Sequence, residues 1–513
     1  MLATVLSSTV VGIDAFPVEV EVDISNGLPA FNIVGLPDTA CRESADRVRA
    51  AIKNSGLPFP ARKITINLAP ADLRKEGSAF DLAIAIGILV ANEELDQERV
   101  KNKIFCGELS LDGKLRGVPG ILPRAVCLAS EAEKKDFVVP QINVQEALCV
   151  KGLKVYPVKS LAQAVKFLKG EEPITPKEGR DDFILPGPAF DQNFDFADVK
   201  GQAHAKRGLE IAAAGSHNLL MIGPPGSGKT MLARRLSSIL SSITLDEAME
   251  TTKIHSVAGF LSKKSSLVQA RPFRDPHHTI SNIAMIGGGK YPRPGEVSLS
   301  HNGVLFLDEF PEFRRDVLEV LRQPLEEGRV TISRASSSLT FPARFMLVAA
   351  MNPCPCGNFG DQKKECHCTS PQIRNYMSRV SGPLLDRIDI QLEVPCVKVG
   401  DLTEKSTGES SHEIRERVER ARGAQRARYQ SDKISSNAQL LSKQVEKYCQ
   451  VSKEGEGILK MAIESLGLSA RAYHKVLKVA RTIADLEGKE ALETPHLSEA
   501  IHYRALDRNL WFR

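Results

Sequence analysis

Asn218–Leu236 (NLLMIGPPGSGKTMLARRL) constrains what this chain can fold into more than any other stretch. Four apolar residues, Leu219–Ile222, read as a buried strand that runs into Gly223–Thr230 and then into a helical pattern. The loop fits G-x-x-x-x-G-K-[ST], with Gly223, Pro224, Pro225, Gly226, Ser227, Gly228, Lys229 and Thr230 in order. Its glycines let backbone N–H groups converge on phosphate oxygens, and the helix N-terminus adds a favourable dipole. Lys229 is placed to reach the β- and γ-phosphates of ATP, and the Thr230 hydroxyl to ligate Mg²⁺. A glycine-rich turn that matched by chance would lack the strand before it and the helix after it; here all three occur in order.

Two later strands carry polar ends. GVLFLDEF (Gly303–Phe310) is an apolar run with Asp308 and Glu309 at its C-terminal end, where α/β sheets place ligands. Asp308 is expected to hold Mg²⁺ through water and Glu309 to polarise the attacking water as general base. RFMLVAAMN (Arg344–Asn352) ends in Asn352, which beside the phosphate-loop strand helps to place that water; without this context, Asn352 before Pro353 reads as a strand-end residue opening a turn. PCPCGNFGDQKKECHC follows, setting Cys354, Cys356, Cys366 and Cys368 as two C-x-C pairs. Four thiolates suit tetrahedral Zn²⁺ and would stiffen an insertion spanning 353–370; the other reading is four reduced thiols in an exposed loop, an oxidation liability. His367 reads as a bystander.

A length of 513 residues allows two to four domains at ~100–200 residues each. In residues 1–168, Val18–Ser25 and Lys63–Ala69 alternate as half-buried strands, and Thr39–Ser55 and Ser78–Ala91 read as helices. Residues 169–195 are rich in Pro, Gly and charge and read as a linker. Residues 196–395 alternate short strands with helices, as a parallel sheet covered by helices requires, and 396–513 show amphipathic helices only. The expected fold class is therefore α/β: an α+β front domain, a central P-loop domain and a helical C-terminal lid. A formal charge of +5 is too small to define a nucleic-acid partner, and 5% aromatic residues give little sign of base-stacking platforms. No apolar run of about 18 residues occurs and the start lacks a basic signal region, so a cytoplasmic chain without a membrane partner is expected. Cys41, Cys106, Cys127, Cys149, Cys396 and Cys449 are scattered and read as buried small apolar residues.

Four stretches carry a resemblance: Asp198–Thr230, FRDPHHTISNIAMIGGG (Phe273–Gly289), PGEVSLSHNGVLFLDE (Pro294–Glu309) and VSGPLLDRIDI (Val380–Ile390). Together they resemble an AAA+ ATPase of the magnesium-chelatase-like group, and the whole chain is similar to the ComM/YifB family. That resemblance implies a homo-hexameric ring that hydrolyses ATP as a helicase. It would drive DNA branch migration during homologous recombination and natural transformation, on branched or single-stranded DNA without sequence preference, with recombination proteins as further partners. Residue by residue it implies Asn352 as sensor 1, Arg387 as an arginine finger reaching a neighbouring subunit's γ-phosphate, and Arg471 as sensor 2. A guanidinium at the developing phosphoryl charge contributes a factor of ~10³–10⁵ in rate, and within this family one supplied in trans implies a ring. Outside these motifs, either arginine would read as a surface salt bridge.

Glu326–Phe345 reads as a β-hairpin; related ring helicases place such a hairpin in the central channel, with Arg334 here at the basic position and Arg329 nearby. Such phosphate contacts are sequence-independent and salt-sensitive, whereas the plainer reading is a surface hairpin with solvated arginines. Ile286–Gly295, with Lys290 and Arg293, is a second pore-loop candidate. His412–Tyr429 carries Arg415, Arg417, Arg420, Arg422, Arg426 and Arg428 among glutamates and reads as a solvated helix face.

Lys75–Leu89 and Gly107–Ala129 resemble the peptidase domain of Lon-type proteases, which raises an ATP-dependent protease as a second reading. That chemistry needs a serine nucleophile and a lysine base. The motifs put Ala79 and Leu122 at those positions, with Ser78 one residue off, so an inactive collar that guides DNA or binds a partner is expected. A third reading, the ATPase subunit of a magnesium chelatase, shares the ATPase motifs. It is opposed by the missing acidic, integrin-like region and by a front domain taken as foreign to that enzyme.

Overall fold

The computed structural model describes residues 2–131, 135–179, 194–261, 267–289, 292–334, 337–360, 364–397, 408–432, 434–466 and 469–504. Residues 180–193 of the expected linker, Lys290 of the second pore-loop candidate and residues 361–363 of the cysteine insertion lie outside them. The chain divides into two compact units, Met1–Leu185 with Leu245–Val268, and Pro186–Thr244 with Gln269–Arg513.

The first unit is built on an eight-stranded sheet. In spatial order its strands are Lys177–Glu178, Lys154–Val158, Asp136–Pro140, Lys103–Phe105, Leu2–Val11, Asp14–Ser25, Lys63–Ala69 and Ala30–Val34. Leu2–Val11 and Asp14–Ser25 form a hairpin registered from Leu2 opposite Asp23 to Val11 opposite Asp14. Its two-residue turn needs a positive φ, which Gly12 supplies at 67°. Asp81–Ala91 (DLAIAIGILVA) has no polar face, so the helix must be covered on every side, and all its residues are buried. It lies so close to the sheet that a Cβ on Gly87 would sit 2.7 Å from Val22 Cγ2. Its one charge, Asp81, is met by Ser44, by Arg47 Nε at 2.7 Å and by the Leu109 N–H at 3.2 Å. The helix Leu245–Ala258 also belongs to this unit, although it lies within the span read as the second block. It packs on the helix Ile121–Ser130, with Ser256 donating to Glu146 and Thr252 Oγ1 accepting from the Val268 N–H at 2.9 Å.

The second unit carries a five-stranded, wholly parallel sheet in the order Phe273–Arg274, Val304–Leu307, Met346–Met351, Leu219–Ile222, Ile390–Glu393. Parallel neighbours need crossover connections, and strands covered on both faces read as unbroken apolar runs. The runs LLMI, VLFL and MLVAAM are accordingly buried throughout. The first strand in chain order lies between the fourth and the fifth, so the loop after Ile222 opens where the strand order reverses, the place where open α/β sheets bind ligands. Beyond residue 408 come the helices Ser411–Arg428, Ser442–Tyr448, Lys453–Leu466, Ala470–Leu486 and Thr494–His502. No helix among the described residues is long and apolar enough to cross a membrane.

The basic helix differs from the solvated face read from its sequence. Arg422 is buried, Arg417 pairs with Glu210 and Glu409, and Arg428 Nη1 donates to Asp485 Oδ2 at 3.0 Å. Periodicity could not show this, because Glu210 and Asp485 come from distant parts of the chain.

Candidate active site

Gly226 and Gly228 turn the loop after Leu219–Ile222 with φ of 77° and 89°, a region that L side chains rarely enter. A Cβ on Gly223 would lie 2.1 Å from the Val394 carbonyl oxygen, whereas one on Gly226 would meet nothing within 4 Å. The loop backbone is thus pressed against the sheet at its start and open at its middle. Gln202 ties it down from outside, its Nε2 donating to the Ser227 carbonyl at 2.7 Å. Ser227 Oγ is buried and has no hydrogen-bond partner among the described residues.

Lys229 begins the helix Lys229–Ile239 and is buried. Its Nζ donates to the carbonyls of Gly223 (2.7 Å) and Pro224 (2.9 Å) and to Asn352 Oδ1 (3.2 Å). Burial pushes its pKa down, with the Asp308 carboxylate opposing. Thr230 Oγ1 donates to Asp308 Oδ2 at 2.6 Å, so the two oxygens expected to serve Mg²⁺ lie side by side. Glu309 follows with φ 52°, and its carboxylate lies 3.2 Å from His278 Nδ1. Lys229, Thr230, Asp308 and Asn352 therefore converge at the C-terminal ends of three adjacent strands, with Glu309 at the margin.

The two arginines lie elsewhere. Arg387 Nη1 donates to the Pro383 carbonyl at 2.6 Å and Nη2 pairs with Glu326, while Nε is buried without a hydrogen-bond partner among the described residues. Arg471 is exposed in the first turn of Ala470–Leu486. Arg329–Arg334 and Ser337–Pro342 form the expected antiparallel hairpin, Arg329 exposed and 3.2 Å from Glu327. Arg293 is exposed in a short strand opposite Gly287–Gly288.

Cys354, Cys356, Cys366 and Cys368 offer sulfurs that all lie within 4.8 Å of one another. Hydrogen bonding from the Asn358 N–H and the neighbouring thiols holds Cys356 down at about 6, while burial pushes Cys354 up to about 12. In the first unit, Ala79 and Leu122 are both buried, and Ser78 Oγ is bonded to Glu108. No nucleophile–base pair stands at the aligned positions.

Sequence reasoning gave no role to His278 or Glu326. The tandem His277–His278, closely following the Phe273–Arg274 strand, was a signal for the first; nothing local marks Glu326 as the partner of a residue sixty-one positions on.

This fold and this constellation define a magnesium-chelatase-type P-loop ATPase of the AAA+ class. The family model described as "Magnesium chelatase, subunit ChlI" matches residues 195–402, and its C-terminal counterpart matches 408–504. Over the full length the chain is similar to "Competence protein ComM" of Haemophilus influenzae, at 47% identity covering 99% of this chain and 98% of that one. It is 45% identical to "Uncharacterized protein YifB" of Escherichia coli, covering 99% and 98%. The chain belongs to the ComM/YifB family. Similarity to the "Magnesium-chelatase 38 kDa subunit" of Cereibacter sphaeroides is 24%, over 31% of this chain and 53% of that one. Residues 20–143 match a model described as "Subunit ChlI of Mg-chelatase".

Proposed function

We propose that this chain is an ATP-driven ring motor that moves along branched or single-stranded DNA and promotes branch migration. The observation that carries this reading is the separation of roles in the second unit. One cluster is built to hold a triphosphate, while Arg387 is engaged with Glu326 and Pro383 and is free to serve a neighbouring subunit once released.

The donor set fits the ligands. Thr230 Oγ1 and Asp308 Oδ2 are hard oxygen donors 2.6 Å apart, the type Mg²⁺ takes. Bound there, Mg²⁺ would neutralise charge on the β- and γ-phosphates. Lys229 exchanges its loop carbonyls for phosphate oxygens, and the Ser227 region and its neighbouring N–H groups supply the anion cradle. Glu309 takes a proton from the attacking water, released for this from His278, and Asn352 orients that water. Arg387 of one subunit then stabilises the transition state in the next, which ties turnover to ring assembly as a homo-hexamer. Arg471 acts as sensor 2 from the helical lid. Arg329 and Arg334, with Lys290 and Arg293 on the second loop, supply sequence-independent phosphate contacts to DNA. One Zn²⁺ at the four cysteines belongs to the same reading. The name of the Haemophilus relative, a competence protein, supports a role in natural transformation.

A protease is disfavoured by the buried Ala79 and Leu122, and a chelatase subunit by its coverage of less than a third of the chain. ATP turnover measured beside branched DNA, single-stranded DNA, casein and porphyrin separates the three. Stimulation by DNA alone, with strand-exchange intermediates resolved on a gel in the presence of ATP, is expected. Turnover indifferent to every DNA, or a protein that stays monomeric with ATP and DNA, refutes the motor.

A further inference from the structure

We propose that zinc at Cys354, Cys356, Cys366 and Cys368 braces the phosphate loop through Gly357 and Asn352, so that metal occupancy sets the affinity for nucleotide. The proposal rests on the reading of Gly223–Thr230 as the nucleotide loop and adds to it a means of control.

The cluster has the geometry of a closed metal site. Tetrahedral zinc with bonds of about 2.3 Å sets its thiolates about 3.8 Å apart. Here Cys354 Sγ lies 3.3 Å from Cys356 Sγ and 3.7 Å from Cys366 Sγ, and Cys356 Sγ lies 3.6 Å from Cys366 Sγ. All four donors are sulfur, which selects a soft or borderline ion over Mg²⁺ or Ca²⁺. The Phe359 N–H donates to Cys354 Sγ at 3.3 Å, the kind of outer contact that fixes a ligating sulfur. Little else holds the segment. Its described residues between Asn352 and Thr369 form neither helix nor strand, and most from Pro355 onward are half-buried or exposed. With no core of its own to offset the entropy of ordering, it needs a cross-link.

Two links join this cluster to the phosphate loop. Gly357, in the turn closed by its N–H to the Cys354 carbonyl at 3.0 Å, has φ 81°, and a Cβ there would lie 2.4 Å from Pro225 Cδ. The cysteine turn is therefore seated on the phosphate loop itself, backbone against proline ring. The second link is covalent and short: Asn352, two residues before Cys354, accepts from Lys229 Nζ. With the metal in place, the Gly357 turn and the end of the sensor strand are held, and Pro225 and Lys229 have fixed neighbours. With it removed, both contacts loosen and nucleotide binding has to order the loop.

The test uses the full chain. Purified with zinc and without chelator, it is expected to carry about one zinc per chain by mass spectrometry of its metal content, and a Cys366→Ser/Cys368→Ser variant none. Zinc is stripped with a thiol-reactive mercurial and chelator, the thiols are reduced, and the protein is exchanged into Mg²⁺ buffer. Titration with a fluorescent ATP analogue should then show about tenfold weaker binding, ~1.4 kcal/mol, reversed by added Zn²⁺. Gly357→Ala, which leaves every sulfur in place, should keep its zinc and lose affinity by about the same factor. Absence of zinc from the wild-type chain overturns the metal site. Equal affinities of stripped and loaded protein, or a Gly357→Ala variant that binds the analogue normally, overturn the coupling. A loaded wild-type chain that binds no analogue, like Lys229→Ala, refutes instead the nucleotide reading beneath it.

Discussion

If Arg387 serves a neighbouring subunit, its pairing with Glu326 must be broken before it can act, and Glu326→Gln should make ATP turnover faster. Within its own subunit the guanidinium is held by Glu326 and by the Pro383 carbonyl. The arginine side chain is 14% exposed but the glutamate 57%, so water screens the pair from one side. A pair of this kind is worth ~1 kcal/mol rather than the several of a buried one. Removing the charge while keeping the shape therefore raises the fraction of free Arg387 about fivefold, and turnover by at most that factor. Hydrogen bonding and charge from Arg387 hold the Glu326 carboxyl below its ordinary value. The pair thus contributes above the usual carboxylate pKa of about 4.3 and is lost as pH falls through the depressed value. At pH 7–8 it is intact, and Glu326→Gln reproduces its acid-broken state.

The assay is steady-state ATP hydrolysis by assembled rings with saturating DNA, at low and high salt. A gain of a few-fold is expected at low salt. It should shrink toward 1 M salt, where a Debye length of about 3 Å screens the pair in the wild type as well. In an Arg387→Ala background the same substitution should change nothing. A lower or unchanged turnover in Glu326→Gln would refute the reasoning, for Glu326 would then position the arginine rather than withhold it.

Glu309→Gln should still bind ATP and trap an assembled ring while turnover falls by ~10²–10⁴, read by quenched-flow hydrolysis beside analogue binding. Arg329→Ala with Arg334→Ala should weaken DNA binding for all sequences alike and reduce the slope of log affinity against log salt by about two, read by fluorescence anisotropy across a salt series. Asp389→Ala should destabilise the second unit by ~3 kcal/mol in chemical denaturation, because it leaves the half-buried Lys475 ammonium, 3.1 Å away, without its carboxylate. Burial alone would raise the Asp389 carboxyl, but Lys475 and His217 outweigh it and hold it well below the carboxylate range. Its contribution is therefore present above about pH 4 and lost on acidification, so the wild type should lose more stability below pH 4 than Asp389→Asn does.

The nucleotide loop, the two carboxylates and Asn352 were legible because each closes an unbroken apolar strand, and a parallel sheet brings such ends together. The hairpin read within Glu326–Phe345 is found at Arg329–Pro342. What could not be read was whatever depends on residues far apart in sequence. Leu245–Ala258 gives no local sign that it packs on Ile121–Ser130, since the residues it buries, Ala248, Thr251, Thr252, Ile254 and Ser256, are mostly polar and mark no apolar stripe. The arginines of Ser411–Arg428 looked solvated because their glutamates are near in sequence, yet Arg417 and Arg428 also reach acids on other helices. The His278–Glu309 contact joins segments that follow two strands whose order in the sheet the sequence does not state.

Other long-range contacts tie the helix Ala470–Leu486 to the segment that carries Arg387. Asn218, just before the phosphate-loop strand, donates Nδ2 to the Arg387 carbonyl at 2.9 Å, and its backbone N–H donates to Asp389 Oδ2 at 3.1 Å. Lys475 reaches Asp389 and the Ile388 carbonyl, and His217 Nε2 lies 2.7 Å from Thr482 Oγ1. Lys475 and Thr482 both stand on Ala470–Leu486, the helix whose first turn carries Arg471. Burial pushes Lys475 down to about 8 against the pull of Asp389, so at neutral pH it stays charged and the pair is kept. A close-packed, charged hub of this kind rearranges as a unit rather than deforming smoothly. If, as proposed, Arg471 meets phosphate and Arg387 serves a neighbouring subunit, a shift of Ala470–Leu486 would carry the main chain of Arg387 with it, and closure over one nucleotide would displace the arginine offered to the next.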